Sequence, residues 1–226
     1  MARDFVAGKQ PDKCPPYADV QRSLAQLDPA GPQSETLLHT LLEHHVALTS
    51  TLPVFEASTP VLPDAVLDLM SLQTRSNYLR AYARTAQGDS LDAVKAFQHG
   101  MVFEKEYFDA GGLLVDGIDP TGNGGVVPGY SNAREVELLI EAGLTVPQAI
   151  QVSTMNGARF LGLDKDRGSI AVGKRADLIV LDGDPTKSPA DLHKVQFVFK
   201  DGVGYDSAKQ TACAVTWACA EAQAGR

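Results

Sequence analysis

The hydrophobic period of the chain changes at Gly162. Upstream, leucines and valines recur at helical spacing between short β-branched runs. Downstream, only short strand-like stretches remain. Strands alternating with helices imply an α/β part up to about residue 162, and the remainder of the chain reads as a small all-β piece. The fold class expected is therefore α/β.

Residues 1–33 are rich in Pro, Asp, Gln and Gly and read as loop, with a short helix near 20–27. Leu37, Leu38, Leu41 and Leu42 share one helical face. Residues 46–52 (VALTSTL) predict a buried strand stopped by Pro53. Two helices are expected over 63–86 and 90–110, divided by Gly88-Asp89 and closed by Gly111-Gly112. A second buried strand follows over 113–119. Val136, Leu139 and Ile140 mark the next helix, ended by Gly143. Thr145-Val146-Pro147-Gln148 then has the form of a capping box, in which hydroxyl and amide each serve a backbone N–H. Residues 176–181 and 195–200 read as strands, with Asp201-Gly202 as the hairpin turn. The tail after Asp206 carries no pattern.

With 44% hydrophobic residues in 226, the chain can bury a real core. A net charge of −8 argues against a nucleic-acid partner, which would require a basic face. No apolar run approaches the ~20 residues of a membrane span. The start of the chain has no signal-peptide layout, and localisation is left unassigned. Cys14, Cys213 and Cys219 lack metal-site spacing and read as free thiols, although a Cys213–Cys219 bridge stays open.

The chemistry concentrates at residues 113–125 (LLVDGIDPTGNGG). Leu113, Val115, Gly117 and Asp119 fall on one side of an alternating strand, and Asp119 stands at its C-terminal end before a Gly/Pro loop. A carboxylate there can bind a metal or accept a proton; equally, it can cap the turn before Pro120. Asp116 points the opposite way, toward the helices, where a buried carboxylate needs a partner. The loop 121–125 lacks the spacing and the lysine of a phosphate cradle and reads as a lip over a site.

In order, 113–125, 132–143 (NAREVELLIEAG), 145–162 (TVPQAIQVSTMNGARFLG), 168–185 (GSIAVGKRADLIVLDGDP) and 198–206 (VFKDGVGYD) resemble the C-terminal end of the amidohydrolase superfamily. Residues 41–56 (LLEHHVALTSTLPVFE) resemble its seventh-strand region in the imidazolonepropionase-like and prolidase-like branch. The resemblance covers most of 34–206. It implies a partial (β/α)8 TIM barrel over 1–162, about the last two strand–helix units, then β-sandwich strands over 163–206 and an unassigned tail over 207–226. It implies hydrolysis of a carbon–nitrogen bond in a small-molecule amide substrate, with one or two divalent metal ions, zinc foremost, in the complete enzyme. Asp119 corresponds to the family's metal-binding, proton-handling aspartate at the barrel rim. Thr51, Asn123 and Tyr130 are the candidates for lining a substrate pocket, though each has a structural reading as well. A homo-oligomer stays open.

The family's metal site is built mainly from histidines, including a His-x-His pair. His39, His44, His45, His99 and His193 have no such spacing, and His44 and His45 project about 100° apart on a helix. Only 118 residues precede Asp119, where a full barrel takes about 250. The expectation is a chain without the N-terminal part of the barrel, binding few or no metal ions alone. A catalytically inert remnant or interaction module is the alternative. Complementation by a separate N-terminal polypeptide ranks below it, because split barrels expose sheet edges.

Overall fold

A computed structural model describes residues 6–59, 67, 70–87, 90–120 and 125–216. In chain order its elements begin with α1 (Tyr17–Gln26), α2 (Pro32–Glu43), β1 (Leu48–Ser50), α3 (Leu52–Glu56), α4 (Leu72–Gln87), α5 (Ser90–Asp109) and β2 (Leu114–Asp116). Then come α6 (Tyr130–Glu141), α7 (Val146–Gln151), a π-helical turn (Val152–Asn156), α8 (Gly157–Phe160), β3 (Leu178–Leu181), a 3-10 turn (Pro189–His193), β4 (Val195–Lys200), β5 (Val203–Asp206) and α9 (Ser207–Thr216).

β1 and β2 pair in parallel, with Leu48 opposite Leu114 and Ser50 opposite Asp116. Parallel strands need a long crossover, and here it carries α3, α4 and α5. The mixed α/β class expected from the sequence is what the chain adopts. β3, β4 and β5 form a separate antiparallel sheet in sequential order. Its hairpin turn is Asp201-Gly202, both residues at positive φ (50° and 81°), between paired Lys200 and Val203. Two consecutive positive φ angles are what a two-residue turn matched to strand twist requires.

The core lies where α2, α3, α5, α6 and α7 converge on β1 and β2. Leu41, Leu52, Tyr107, Leu114, Val136, Leu138, Leu139, Leu144, Ala149 and Val152 are buried there, with Leu37, Leu38 and Leu42 packed against them. The leucine face read from α2 is thus the one that turns inward. α1 packs along α5, and its end is tied by His99 Nδ1, 2.8 Å from the Leu24 carbonyl.

Several boundaries differ from the sequence reading. Pro53 does not simply stop β1. It occupies the first turn of α3, where its missing N–H leaves no bond unmade. Both core strands are three residues long, shorter than the apolar runs that announced them. The helix expected over 63–86 is described from Leu72; most of 60–69 lies outside the described residues. The capping box forms, with Thr145 N donating to Gln148 Oε1 at 2.8 Å, but the helix it starts widens into a π turn at 152–156. The tail carries α9, its alanines favouring helix where no hydrophobic period was visible. Cys14 is exposed, while Cys219 and the side chain of Cys213 lie outside the described residues. Among the described residues, no helix is long and apolar enough to cross a membrane.

Tyr107 fixes the entry to β2. Its ring is 1% exposed, and its hydroxyl donates to the Val46 carbonyl just before β1. A Cβ on Gly112 would stand 2.2 Å from Tyr107 Cζ, inside any permitted contact. Because the ring is held at its hydroxyl end, it cannot swing away. Gly112→Ala is expected to destabilise the chain by about 1–3 kcal/mol, read as a fall in urea midpoint with an unchanged m-value.

Candidate functional site

The C-terminal ends of β1 and β2 lie on one edge of their sheet because the strands are parallel. The Gly117 N–H donates to the Ser50 carbonyl at 2.9 Å, holding the ends together. The approach is close enough that a Cβ on Gly117 would meet Thr49 Cγ2 at 2.9 Å and Thr51 Cγ2 at 3.5 Å. Thr51 leaves β1 with φ −146° and ψ 46° and serves as the N-cap position of α3. Asp119 stands three residues past β2 on the same edge, exposed, with φ 45°. Left-handed backbone is uncommon outside glycine, although aspartate tolerates it better than most residues, and such strain gathers at functional sites.

Tyr130 opens α6, and its ring stacks on His193 with centroids 4.5 Å apart. That contact joins α6 to the 3-10 turn before β4. Asn123 lies outside the described residues. His39, His44 and His45 are exposed on or just after α2. Among the described residues, no group of three or more His, Cys, Asp or Glu is arranged to hold a metal ion. Zinc takes about four such ligands. Asp119 could supply at most one, so the described residues do not by themselves fit a divalent ion.

Two charged networks behind this edge were not read from the sequence. The first surrounds Ser50 on the helix-facing side of the sheet. Ser50 Oγ is 2.6 Å from Glu104 Oε2 on α5 and in hydrogen-bond contact with Glu135 Oε1 on α6. Ser50 and Glu135 are fully buried and Glu104 nearly so. Burial pushes the Glu104 carboxyl up to about 7, against the opposing effect of the Ser50 hydrogen bond. Burial, with Asp116 and Glu104 nearby, pushes Glu135 up to about 9. Asp116 is also raised by burial, offset in part by the Ser153 hydroxyl of the π turn. A signal existed: Glu104 precedes Tyr107 and Phe108, and Glu135 precedes Leu138 and Leu139, by three and four residues, so each carboxylate sits on an apolar helix face.

The second network centres on Arg134. Its guanidinium holds Glu56 of α3 in a fork (Nη2–Oε1 2.7 Å, Nε–Oε2 3.2 Å) and also reaches Glu137 at 3.0 Å and Glu141 at 2.7 Å. Burial works against the charge of Arg134, but the glutamates outweigh it and keep the group protonated. Glu137 lies 3.3 Å from His193 Nε2. Burial pushes its carboxyl up, and the His193 and Arg134 contacts more than reverse this, leaving it below its ordinary value.

The Amidohydrolase family model matches residues 87–204, just over half of the chain, including β2, Asp119 and the helices behind them. The chain belongs to the amidohydrolase family. Among curated amidohydrolase relatives, it is 46% identical over 67 residues to adenine deaminase 3 of Rhizobium meliloti, spanning 30% of this chain and 11% of that protein. It is 28% identical over 139 residues to the imidazolonepropionase of Picrophilus torridus, spanning 58% of this chain and 34% of that protein. The chain therefore matches about a third or less of the length of these relatives. Among solved structures, bottromycin amidohydrolase superposes with a TM-score of 0.62 at 23% identity, over 85% of this chain and 42% of that one. A prolidase complexed with N-methylphosphonate-L-proline superposes at 0.53 and 19% identity, over 82% of this chain and 43% of that one. Both likenesses are of fold.

In this amidohydrolase chain Arg134 binds α3, which follows β1, to α6, which follows β2. Removing it leaves Glu56, 8% exposed, beside Glu137 without their shared cation. Arg134→Ala is expected to destabilise by roughly 3 kcal/mol, as for other broken buried pairs. Arg134→Lys loses the fork and should recover only part of that. Chemical denaturation at neutral pH measures both.

Proposed function

We propose that the whole protein hydrolyses a carbon–nitrogen bond of a small amide, dipeptide amide or cyclic amide. In this reading residues 1–162 form the C-terminal part of a (β/α)8 barrel, and β1 and β2 are its last two strands. β3–β5 belong to a β-sandwich over 163–206, and 207–226 is an appended tail. The observation that carries the reading is Asp119, in left-handed backbone at the C-terminal edge of a parallel strand within the segment matched by the family. That edge is where barrel enzymes carry their chemistry. Asp119 is the metal-binding and proton-accepting carboxylate, and Thr51, Asn123 and Tyr130 flank the substrate. The deaminases and imidazolonepropionases among the relatives support carbon–nitrogen hydrolysis as the reaction class.

The cofactor in this reading is a divalent metal, zinc foremost, with its other ligands contributed from outside the described residues. Such an ion, if held there, would supply Lewis acidity toward the substrate carbonyl. This chain contributes the carboxylate, the rim that orients it and the packed helices that keep that rim rigid. A second reading, a catalytically inert remnant kept as an interaction module, draws on the absence of a metal-holding group among the described residues.

Asp119→Asn in the whole protein is expected to abolish turnover while leaving the circular dichroism and melting temperature unchanged. Near-normal turnover in that variant would reject the assignment. Metal analysis separates the two readings at the level of this polypeptide: close to one zinc per purified chain is incompatible with an inert remnant.

A further inference from the structure

The contacts of Ser50 pose a proton-counting problem. A hydroxyl carries one hydrogen and can donate to only one neighbour. Ser50 Oγ touches two carboxyl oxygens, Glu104 Oε2 and Glu135 Oε1. Ser50 must therefore accept a hydrogen bond from one of them, and that carboxyl must carry a proton. Glu135 Oε2, on a fully buried side chain, has no hydrogen-bond partner among the described residues, so no described group balances a charge there. Two ionised carboxylates this close in a dry interior would repel strongly.

We propose that Ser50, Glu104 and Glu135 form a proton-operated clasp: α5 and α6 close on β1 only while the two carboxyls share at least one proton, and alkaline removal of that proton opens the helix–sheet contact. The surroundings offer no substitute for the proton. Asp116 faces the cluster from β2 and adds negative charge, while the π turn contributes only the neutral Ser153. From α3 the backbone at Leu52 assists Glu135, and Glu56 is already bound to Arg134, the cation of α6. On α5, Lys105 is engaged by Asp109. Among the described residues, no cation acts on Glu104 or Glu135.

The direction of the pH effect comes from the raised folded-state values of about 7 and about 9. The unfolded chain releases these protons near the ordinary glutamate value, about 4.3. The stabilisation is complete below that pH, declines as pH rises toward the folded-state values, and is lost above about 9. Each proton retained only by the folded chain raises the unfolding constant about ten-fold per pH unit.

Urea unfolding of the full chain from pH 7 to 9 tests the clasp. The wild-type unfolding constant should rise about fifty-fold across this range from Glu135 alone. Glu135→Gln, whose amide keeps an N–H for Ser50, should flatten that rise by the same factor; an unaltered slope in the Glu104→Gln, Glu135→Gln double variant would overturn the proposal. Should the variants not fold, infrared spectra of wild-type chain with ¹³C-labelled glutamate decide. A protonated-carboxyl band present at pH 7 and titrating away in alkali supports the clasp, and absence of that band at pH 7 sinks it.

Discussion

The parallel pairing of Leu48–Ser50 with Leu114–Asp116 is the constraint on which the rest depends. It spans three residues, yet it fixes two opposite things. Toward the C-terminal edge it sets Thr51 beside the path leading to Asp119. Toward the helices it sets Ser50 beside Asp116, inside a ring of acidic side chains. The pairing tolerates no side chain at 117, because Gly117 passes within contact distance of Thr49 and the Ser50 carbonyl. It is also braced from behind: Asn156, in the π turn, donates to the Leu114 carbonyl at 2.8 Å. A one-residue slip in register would exchange the two faces and place apolar side chains where the carboxyls now lie.

Much of this was legible in the sequence. The leucine face of α2, the crossover helix ending at Gly111-Gly112, the capping box at Thr145 and the hairpin at Asp201-Gly202 rest on local patterns, and local patterns carry helix ends and turns well. Three features escaped for physical reasons. Pro53 is equally compatible with ending a strand and beginning a helix, and only the chain's path into α3 decides between them. The π turn at 152–156 leaves the hydrophobic spacing almost undisturbed, so nothing in the periodicity announces it. The acidic cluster is assembled from residues up to 85 positions apart, Ser50 and Glu135. Asp116 was the only member that stood out alone, as a carboxylate on the inward side of a strand. At the candidate site itself, Asp119 and Thr51 were placed on one edge by strand order. Tyr130 is engaged with His193, a contact that no linear pattern encodes.

The helices around β1 hold their carboxylates in two contrasting ways. Around Arg134, three glutamates are balanced by one guanidinium whose planar fork satisfies Glu56 while its outer nitrogen meets Glu137 and Glu141. Around Ser50 no cation stands among the described residues, and in the proposed clasp neutrality comes from bound protons. α6 carries Arg134 and Glu135 side by side and so takes part in both arrangements, on faces about 100° apart. The same helix therefore meets α3 through an ion-pair network and β1 through a hydrogen-bonded acid pair, two contacts that respond differently to salt and to pH.

The left-handed backbone at Asp119 bears on how this position would drift if it had no chemical duty. Aspartate there sits in a conformation that glycine adopts freely, and the difference for an ordinary L-residue is about 1 kcal/mol or more. If Asp119 has no catalytic duty, glycine, a single-base change from either aspartate codon, would relieve the backbone strain at this position. Position 119 is thus a place where robustness and reactivity pull in opposite directions. In the proposed reading, the carboxylate at 119 is therefore held in a backbone shape that does not itself favour aspartate.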